Sequence, residues 1–253
     1  MTENEYLQNI LARERVDVSS TSPLRGYAGV ILPHLRAWAG DHIREVSPSG
    51  SFAKGTAVKS GTDIDLFISL SHTLTATLEN IYTTLFNRMN QAGFKARRQN
   101  VSIGVRVDGH DVDLVPARRQ DGQSQDHSLY RNRRGGWTKT NIATHINLVG
   151  NSGSTEEIRI LKLWRNQKGL DIPSFYLELL AIDALYDKRA GDVGRNVMAA
   201  LAHIRDNIGA ARIVDPANTN NIISEDLSAA EKTTIAKAAG AAAQAATWGE
   251  IVR

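Results

Sequence analysis

The sequence predicts an α+β chain, with a mixed sheet flanked by helices over residues 1–140 and a helical domain over 141–253. Three features predict it. The run around Asp63-Ile64-Asp65 is rich in Val, Ile, Leu and Phe and alternates polar with apolar residues, as a strand does. Asp108-Gly109 is a hairpin turn between two more such runs. From about residue 141 onward the apolar spacing changes to a helical period.

Residues 5–15 read as a first helix. Residues 24–40 read as a second, with Leu24, Tyr27, Val30, Ile31 and Leu35 on one stripe and Pro33 as a kink point. Both are expected to pack behind the sheet. Ile43 to Val46 forms a short strand leading into a Gly50-Ser51 turn, Asp63 to Leu70 forms the next strand, and Leu74 to Ala92 a helix. Residues 95–116 supply two or three strands that end at Pro116, and 117–139 read as loops. Helices follow over 141–149, 154–168, 174–188, 193–208 and 228–247. Ser154, three residues before Glu157, is expected to form a capping box. The Ala-rich stretch 229–246 reads as helix rather than low complexity, and no repeat is visible.

With 42% hydrophobic and 23% charged residues among 253, the composition is that of a folded protein, not a disordered one. No apolar run approaches the roughly 18 to 20 residues that span a bilayer, and the start Met1-Thr2-Glu3-Asn4-Glu5 is acidic, unlike a secretory signal. A cytoplasmic protein without membrane partners is expected. The absence of cysteine excludes disulfides and thiolate metal sites, and the seven scattered histidines form no zinc motif, so the expected metal is hard and oxygen-bound. A net charge of +3 does not diagnose nucleic-acid binding. The basic clusters Lys95-Ala96-Arg97-Arg98, Arg118-Arg119 and Arg131-Asn132-Arg133-Arg134 read either as solvated edges or as a nucleotide or polynucleotide surface.

The chemistry concentrates in Gly50-Ser51-Phe52-Ala53-Lys54-Gly55-Thr56 and the Asp63-Ile64-Asp65 strand after it. On a strand Asp63 and Asp65 point one way while Ile64, Leu66 and Ile68 point the other. Two carboxylates on one face make a divalent-cation seat. Mg²⁺ takes one or two carboxylates plus substrate phosphates, and two ions roughly 4 Å apart can stabilise the attacking and leaving oxygens of a phosphoryl displacement. Asp111 or Asp113, in Gly109-His110-Asp111-Val112-Asp113-Leu114-Val115-Pro116, offers the third carboxylate. Gly50 allows close backbone approach to a phosphate, and Ser51 offers it a hydroxyl and an N–H. Lys54 adds a charge or is simply an exposed lysine, while Gly55 and Thr56 shape the turn. Arg159 and Lys162, three apart on a helix, share a face. His145 reads as a buried, satisfied histidine.

The order Gly-Ser, Gly-Thr, Asp-Ile-Asp and Asp113-Leu114-Val115-Pro116 resembles the DNA polymerase β-type nucleotidyltransferase superfamily. Ile158-Arg159-Ile160-Leu161-Lys162-Leu163-Trp164, Ile172-Pro173-Ser174-Phe175-Tyr176-Leu177-Glu178-Leu179-Leu180 and Ile213-Val214-Asp215-Pro216-Ala217-Asn218-Thr219-Asn220-Asn221 narrow it. They are similar to the branch of 2′,5′-oligoadenylate synthetases, archaeal-type CCA-adding enzymes and the bacterial cGAS/DncV-like nucleotidyltransferases (CD-NTases), most of all to the last, over roughly residues 45 to 225.

The resemblance implies a polymerase β-like palm followed by a helical lobe of the oligoadenylate-synthetase type, with the active site in the cleft between them. It implies that Asp63 and Asp65 bind two Mg²⁺ ions, with Mn²⁺ able to substitute. Asp113, two apolar residues before Pro116 as in the family, is preferred to Asp111 for binding one ion and activating the attacking ribose hydroxyl. Gly50, Ser51, Lys54 and Thr56 would hold the nucleotide, and Lys162, two residues before Trp164, matches a triphosphate lysine with Arg159 beside it. Ser174 matches a phosphate contact, helped by the positive helix end, and is also a candidate N-cap. Phe175 or Tyr176 either stacks on the base or packs in the core. Asn221 matches a base or ribose contact, although Thr219 replaces a second Pro common in relatives. Thr140 and His145 lie where relatives have a Thr-rich helix entry.

The implied activity is Mg²⁺-dependent attack of a ribose hydroxyl on a nucleoside triphosphate, closing short products into cyclic di- or trinucleotide messengers of antiphage (CBASS) signalling. ATP or other NTPs would be substrates, and a protein partner or ligand an activator. The alternatives are linear oligoadenylate synthesis or CCA- or poly(A)-like addition to an RNA end; the chain is expected to lack room for the tRNA-holding domains of CCA-adding enzymes. A catalytically dead nucleotide sensor is disfavoured because all three acids are present.

Overall fold

The apolar runs collapse into two separate cores. The computed structural model describes residues 2–19, 22–61, 63–133, 135–188 and 191–253, without the side chains of 23–25. Leu24 of the predicted helical stripe and Arg134 of the basic cluster fall outside the described side chains. Contacts group residues 17–53 and 63–146 as a sheet unit, and 1–16, 54–62 and 147–253 as a helical unit.

In the sheet unit the strands are β1 (Ile43–Pro48), β2 (Ile64–Leu70), β3 (Arg97–Arg98), β4 (Ile103–Val107), β5 (His110–Arg119), β6 (His127–Tyr130) and β7 (Trp137–Thr140). Their order is β1-β2-β5-β4-β3, with β6 added beside β5 and β7 beside β6. β2 and β5 run parallel, and the other pairs are antiparallel. Helices α2 (Pro23–Ala39) and α4 (Leu78–Gln91) bring Ile31, Leu35, Ile81, Leu85 and Met89 into one core with Ile64, Leu66, Ile68, Val105, Val112 and Leu114. Each such buried side chain contributes roughly 1.5–3 kcal/mol. Phe67 packs instead with Ala117 and Leu129, so β2 is covered on both faces, which explains an apolar Phe67 between Asp65 and Ser69 on that face.

Two expectations change here. β5 does not end at Pro116. Pairing with β4 stops at Leu114 and pairing with β6 starts at Arg118, so Pro116 occupies the gap where β5 changes partner and its missing N–H costs no ladder bond to either. Residues 117–139 contain β6 and β7, whose mixed polar sequences, HSLY and WTKT, lack a clear alternation.

The helical unit is built from α1 (Glu3–Arg13), α6 (Thr155–Gln167), α7 (Ser174–Leu185), α8 (Val193–Asn207) and α9 (Ala229–Ala243), with the short α10 (Trp248–Ile251). Its core centres on Trp164 and Tyr176 and takes in Leu7, Ile10 and Leu11 of α1 together with Val58. Thus α1 packs with the helices, not behind the sheet, and the segment 54–62 groups with them too, which a single division at residue 140 does not express. Helix α5 (Ile142–Gly150) carries the chain from one grouping to the other. The Asp215-Pro216 segment is a small hairpin of β8 (Val214–Asp215) and β9 (Asn218–Ile222).

The capping box expected at Ser154 is not formed: its side chain makes no cap bond, and Glu157 accepts from Asn196 Nδ2 at 2.8 Å instead. Capping boxes do form at Thr2/Glu5 and Ser228/Glu231. No helix among the described residues is long and apolar enough to cross a membrane.

Candidate active site

Strand register assembles the acids. Parallel pairing sets Asp65 opposite Asp113, and antiparallel pairing of β5, β4 and β3 extends the row through Gly104 to Arg97. Residues in register on neighbouring strands share a face. Asp63 stands on the exposed lead-in to β2, two residues before Asp65, and Asp111 stands two residues before Asp113 on β5.

Gly50 opens the five-residue helix α3 (Gly50–Lys54) with φ +56°, and a Cβ at this position would collide with the Asp65 carboxylate. Glycine is therefore needed twice over, for the left-handed backbone and for the close approach. The Ser49 N–H donates to the Asp65 carbonyl at 2.8 Å, so the Gly50-Ser51 turn is fastened beside the acid row. The sequence reading takes this stretch as a simple turn, whereas Ser51 falls within the first turn of α3.

The two acids of β5 have different partners. Arg97 Nη2 donates to Asp111 Oδ1 at 2.7 Å, and this bond holds the Asp111 carboxyl below the usual range. Asp113 accepts from the neutral Gln99 amide at 2.9 Å. Burial, then the charge of Asp63, pushes the Asp113 carboxyl up to about 6. Asp63 is raised as well, by the protein crowding its carboxyl and then by the charge of Asp111. Arg97 thus occupies Asp111 and leaves Asp113 short of positive charge.

Acids in this condition are suited to a cation, whose charge relieves their mutual repulsion. Asp63, Asp65 and Asp113 fit Mg²⁺ by donor type and by strand register. As the side chains stand, no group of three or more His, Asp or Glu among the described residues is arranged to hold an ion. The fit is one of chemistry and register.

A second charged cluster lies inside the helical unit. Glu178 of α7 is fully buried and accepts from Lys54 Nζ at 2.8 Å, Lys162 Nζ at 2.6 Å and Thr56 Oγ1 at 2.8 Å. Lys162 Nζ also donates to Thr56 Oγ1 at 2.8 Å, and Lys54 Nζ sits 4.4 Å from the centre of the Phe175 ring. Burial alone raises the Glu178 carboxyl, but the charges and hydrogen bonds of Lys162 and Lys54 outweigh it and hold the carboxyl below its ordinary value. The structure therefore joins Lys54, Thr56 and Lys162 in one buried network; Lys54 is not an exposed loop lysine.

The remaining candidates stand apart from one another. Arg159 does not join Lys162: its Nη2 donates to the Leu11 carbonyl at 2.7 Å, and its buried Nε has no hydrogen-bond partner among the described residues. The Ser174 hydroxyl accepts from Arg165 Nη1 at 2.9 Å, and Pro173, not Ser174, is the N-cap of α7. Asn221 Nδ2 donates to Asp215 Oδ2 at 3.2 Å across the β8–β9 hairpin. Tyr176 is core, with its buried hydroxyl lacking a hydrogen-bond partner among the described residues, whereas Phe175 is half-buried. Thr140 is buried, but His145 is only half-buried, contrary to the expected buried histidine. In the basic clusters Arg98 lies over Phe86 with 4.3 Å from its guanidinium carbon to the ring centre, and Arg118 caps the Leu74 and Ala76 carbonyls at 3.1 and 2.8 Å.

No family model matches the chain. A cyclic AMP-AMP-AMP synthase of Escherichia coli (strain MS 115-1) is 24% identical over 172 residues, which are 61% of this chain and 54% of the relative. The chain thus matches about half the length of that curated relative. The structure of E. coli MS115-1 CdnC with ATP superposes with a TM-score of 0.77 at 20% identity, covering 96% of this chain and 91% of the other. The Bradyrhizobium diazoefficiens CD-NTase CdnG in complex with GTP gives a TM-score of 0.78 at 13% identity, covering 95% and 90%. The chain has the fold of these CD-NTases.

Within this CD-NTase fold, sequence reasoning missed Arg97 and Gln99, which divide Asp111 from Asp113, and Glu178, which gathers the lysines. Arg97 was visible only as one of a basic cluster. Gln99 and Glu178 carried no local signal, because their roles arise from strand register and helix packing.

Proposed function

We propose that the chain is a Mg²⁺-dependent nucleotidyltransferase that joins nucleoside triphosphates, with release of pyrophosphate, into a cyclic di- or trinucleotide. The observation that carries this reading is the in-register Asp65–Asp113 pair, with Asp63 beside it and the Gly50-Ser51 turn against Asp65. The similarity to a cyclic AMP-AMP-AMP synthase supports cyclic closure and ATP as a substrate. An antiphage messenger role inside the cytoplasm is part of this proposal and rests on the motif resemblance alone.

Bound Mg²⁺ would supply charge neutralisation at the transferring phosphoryl group and acidify the attacking hydroxyl. Asp63, Asp65 and Asp113 would hold it. Ser51, next to Gly50 where the chain approaches Asp65, would donate to phosphate oxygens. Asp113 would accept the ribose hydroxyl proton. The hydroxyl oxygen forms a bond to the α-phosphorus as the bond to the pyrophosphate oxygen breaks, and the leaving pyrophosphate takes that electron pair.

The test is incubation of the wild type and Asp63→Ala/Asp65→Ala with four labelled NTPs and Mg²⁺ or Mn²⁺, then phosphatase treatment and mass spectrometry. Phosphatase-resistant product without free ends, made by wild type and reduced on the order of 10³-fold in the variant, is expected. Phosphatase-sensitive linear product would move the reading to an oligoadenylate-type or RNA-tailing enzyme, and equal turnover by the variant would sink the acid assignment.

A further inference from the structure

We infer that Gln99 is a positioning residue for Asp113, locked in place by Ser102 and given room by Gly104. The inference rests on the reading of Asp113 as metal ligand and proton acceptor.

Three observations carry it. Gln99 Nε2 donates to Asp113 Oδ1 at 2.9 Å while Ser102 Oγ donates to Gln99 Oε1 at 2.6 Å. An ionised carboxylate can only accept, so the amide must present its NH₂ to Asp113 and its oxygen to Ser102; the chain of bonds fixes the amide in one sense. The backbone that carries it is fixed too. Gln99 N–H donates to the Ser102 carbonyl at 3.0 Å, and the Tyr82 hydroxyl reaches the carbonyls of Gln99 at 2.7 Å and Ser102 at 3.1 Å. Finally, Gly104 is the β4 partner of Asp113, and a Cβ there would lie 3.0 Å from Gln99 Nε2 and 3.3 Å from Asp113 Oδ1. The gap at Gly104 is what lets Gln99 reach over β4 to Asp113.

The consequence is chemical. Held at Oδ1, the Asp113 carboxylate cannot turn freely and keeps Oδ2 as its oxygen not engaged by Gln99. A neutral donor orients the group without neutralising it, unlike the guanidinium on Asp111. Partners of metal-ligating carboxylates typically change metal affinity or activity by about 10- to 100-fold when removed.

The experiment is Mn²⁺ titration of the full chain, reading free Mn²⁺ by electron paramagnetic resonance, with steady-state kinetics beside it. The variants are Gln99→Met, Ser102→Ala, Gly104→Ala and Asp113→Asn. Gln99→Met, close in size but without a donor, should weaken Mn²⁺ binding about tenfold and lower kcat with KM for ATP unchanged, at a melting temperature near that of wild type. Gly104→Ala should act in the same direction, and Ser102→Ala less strongly. If Gln99→Met is unfolded, Ser102→Ala decides, since it keeps Gln99 and removes only its lock. Wild-type Mn²⁺ affinity in a folded Gln99→Met, or in the deciding Ser102→Ala, beside weakened binding in Asp113→Asn, overturns the role of Gln99 alone. Wild-type affinity in Asp113→Asn overturns the metal-site reading and this inference with it.

Discussion

The sheet unit and the helical unit each gather charged side chains at positions the sequence marks out, and they balance the charge in opposite ways. Around β2 and β5 the carboxylates of Asp63, Asp65, Asp111 and Asp113 share a face, and Arg97 engages Asp111. In the helical unit Glu178 is enclosed by two ammonium groups and a hydroxyl, all at 2.8 Å or less. A compensated, buried cluster spends its charge on holding elements together, whereas acids such as Asp63 and Asp113, raised by burial and neighbouring negative charge, have interaction energy left for a ligand. The lysine network ties the segment carrying Lys54 and Thr56 to α6 and α7, and its first duty is to the fold.

The largest effect expected from this contrast is on stability at Glu178. Glu178→Ala strands Lys162, which is 3% exposed, and should cost about 3–5 kcal/mol in chemical denaturation. A cost under about 1 kcal/mol would show that the network is not a structural staple. Next comes Gly50→Ala, where positive φ and the Asp65 carboxylate both oppose a side chain. It should cost about 1–3 kcal/mol and abolish pyrophosphate release by displacing Asp65; a stable, active variant would break the proposed link between turn and acid.

The smallest effect is a pH slope at Asp113. The carboxyl titrates near 6 when folded and near 3.9 in an unfolded chain, so the folded state binds this proton more tightly. The stability it provides is fully present below about pH 4 and is lost as the pH rises through about 6. In chelator, the melting temperature of wild type relative to Asp113→Asn should therefore fall between about pH 4 and pH 6. A flat difference would mean that Asp113 is not crowded by burial and by Asp63.

Much of this was legible in the chain. The alternation around Asp63-Ile64-Asp65 and Asp111-Val112-Asp113 gave the strands and the acids, since a period of two is a local property. Helical periodicity likewise gave α2, α4 and α6 to α8, and alanine content gave α9. What escaped depends on distant partners. The place of α1 follows from Leu7, Ile10 and Leu11 finding the Trp164 core, which the amphipathic pattern of α1 alone does not specify. Glu157 looks like half of a capping box, yet Asn196, 39 residues away, takes its carboxylate. Gln99 and Glu178 belong to the same class, because their partners are set by register and packing.

The central claim is that the acid row, in which Asp63 and Asp113 are raised by burial and by neighbouring negative charge, takes a divalent cation. Thermal unfolding of the wild type and Asp63→Asn/Asp65→Asn across a Mn²⁺ titration tests it most directly. The account predicts that Mn²⁺ raises the wild-type melting temperature in proportion to the logarithm of its concentration above the dissociation constant. The double variant should show no such rise. An equal Mn²⁺-dependent rise in both proteins would contradict the account.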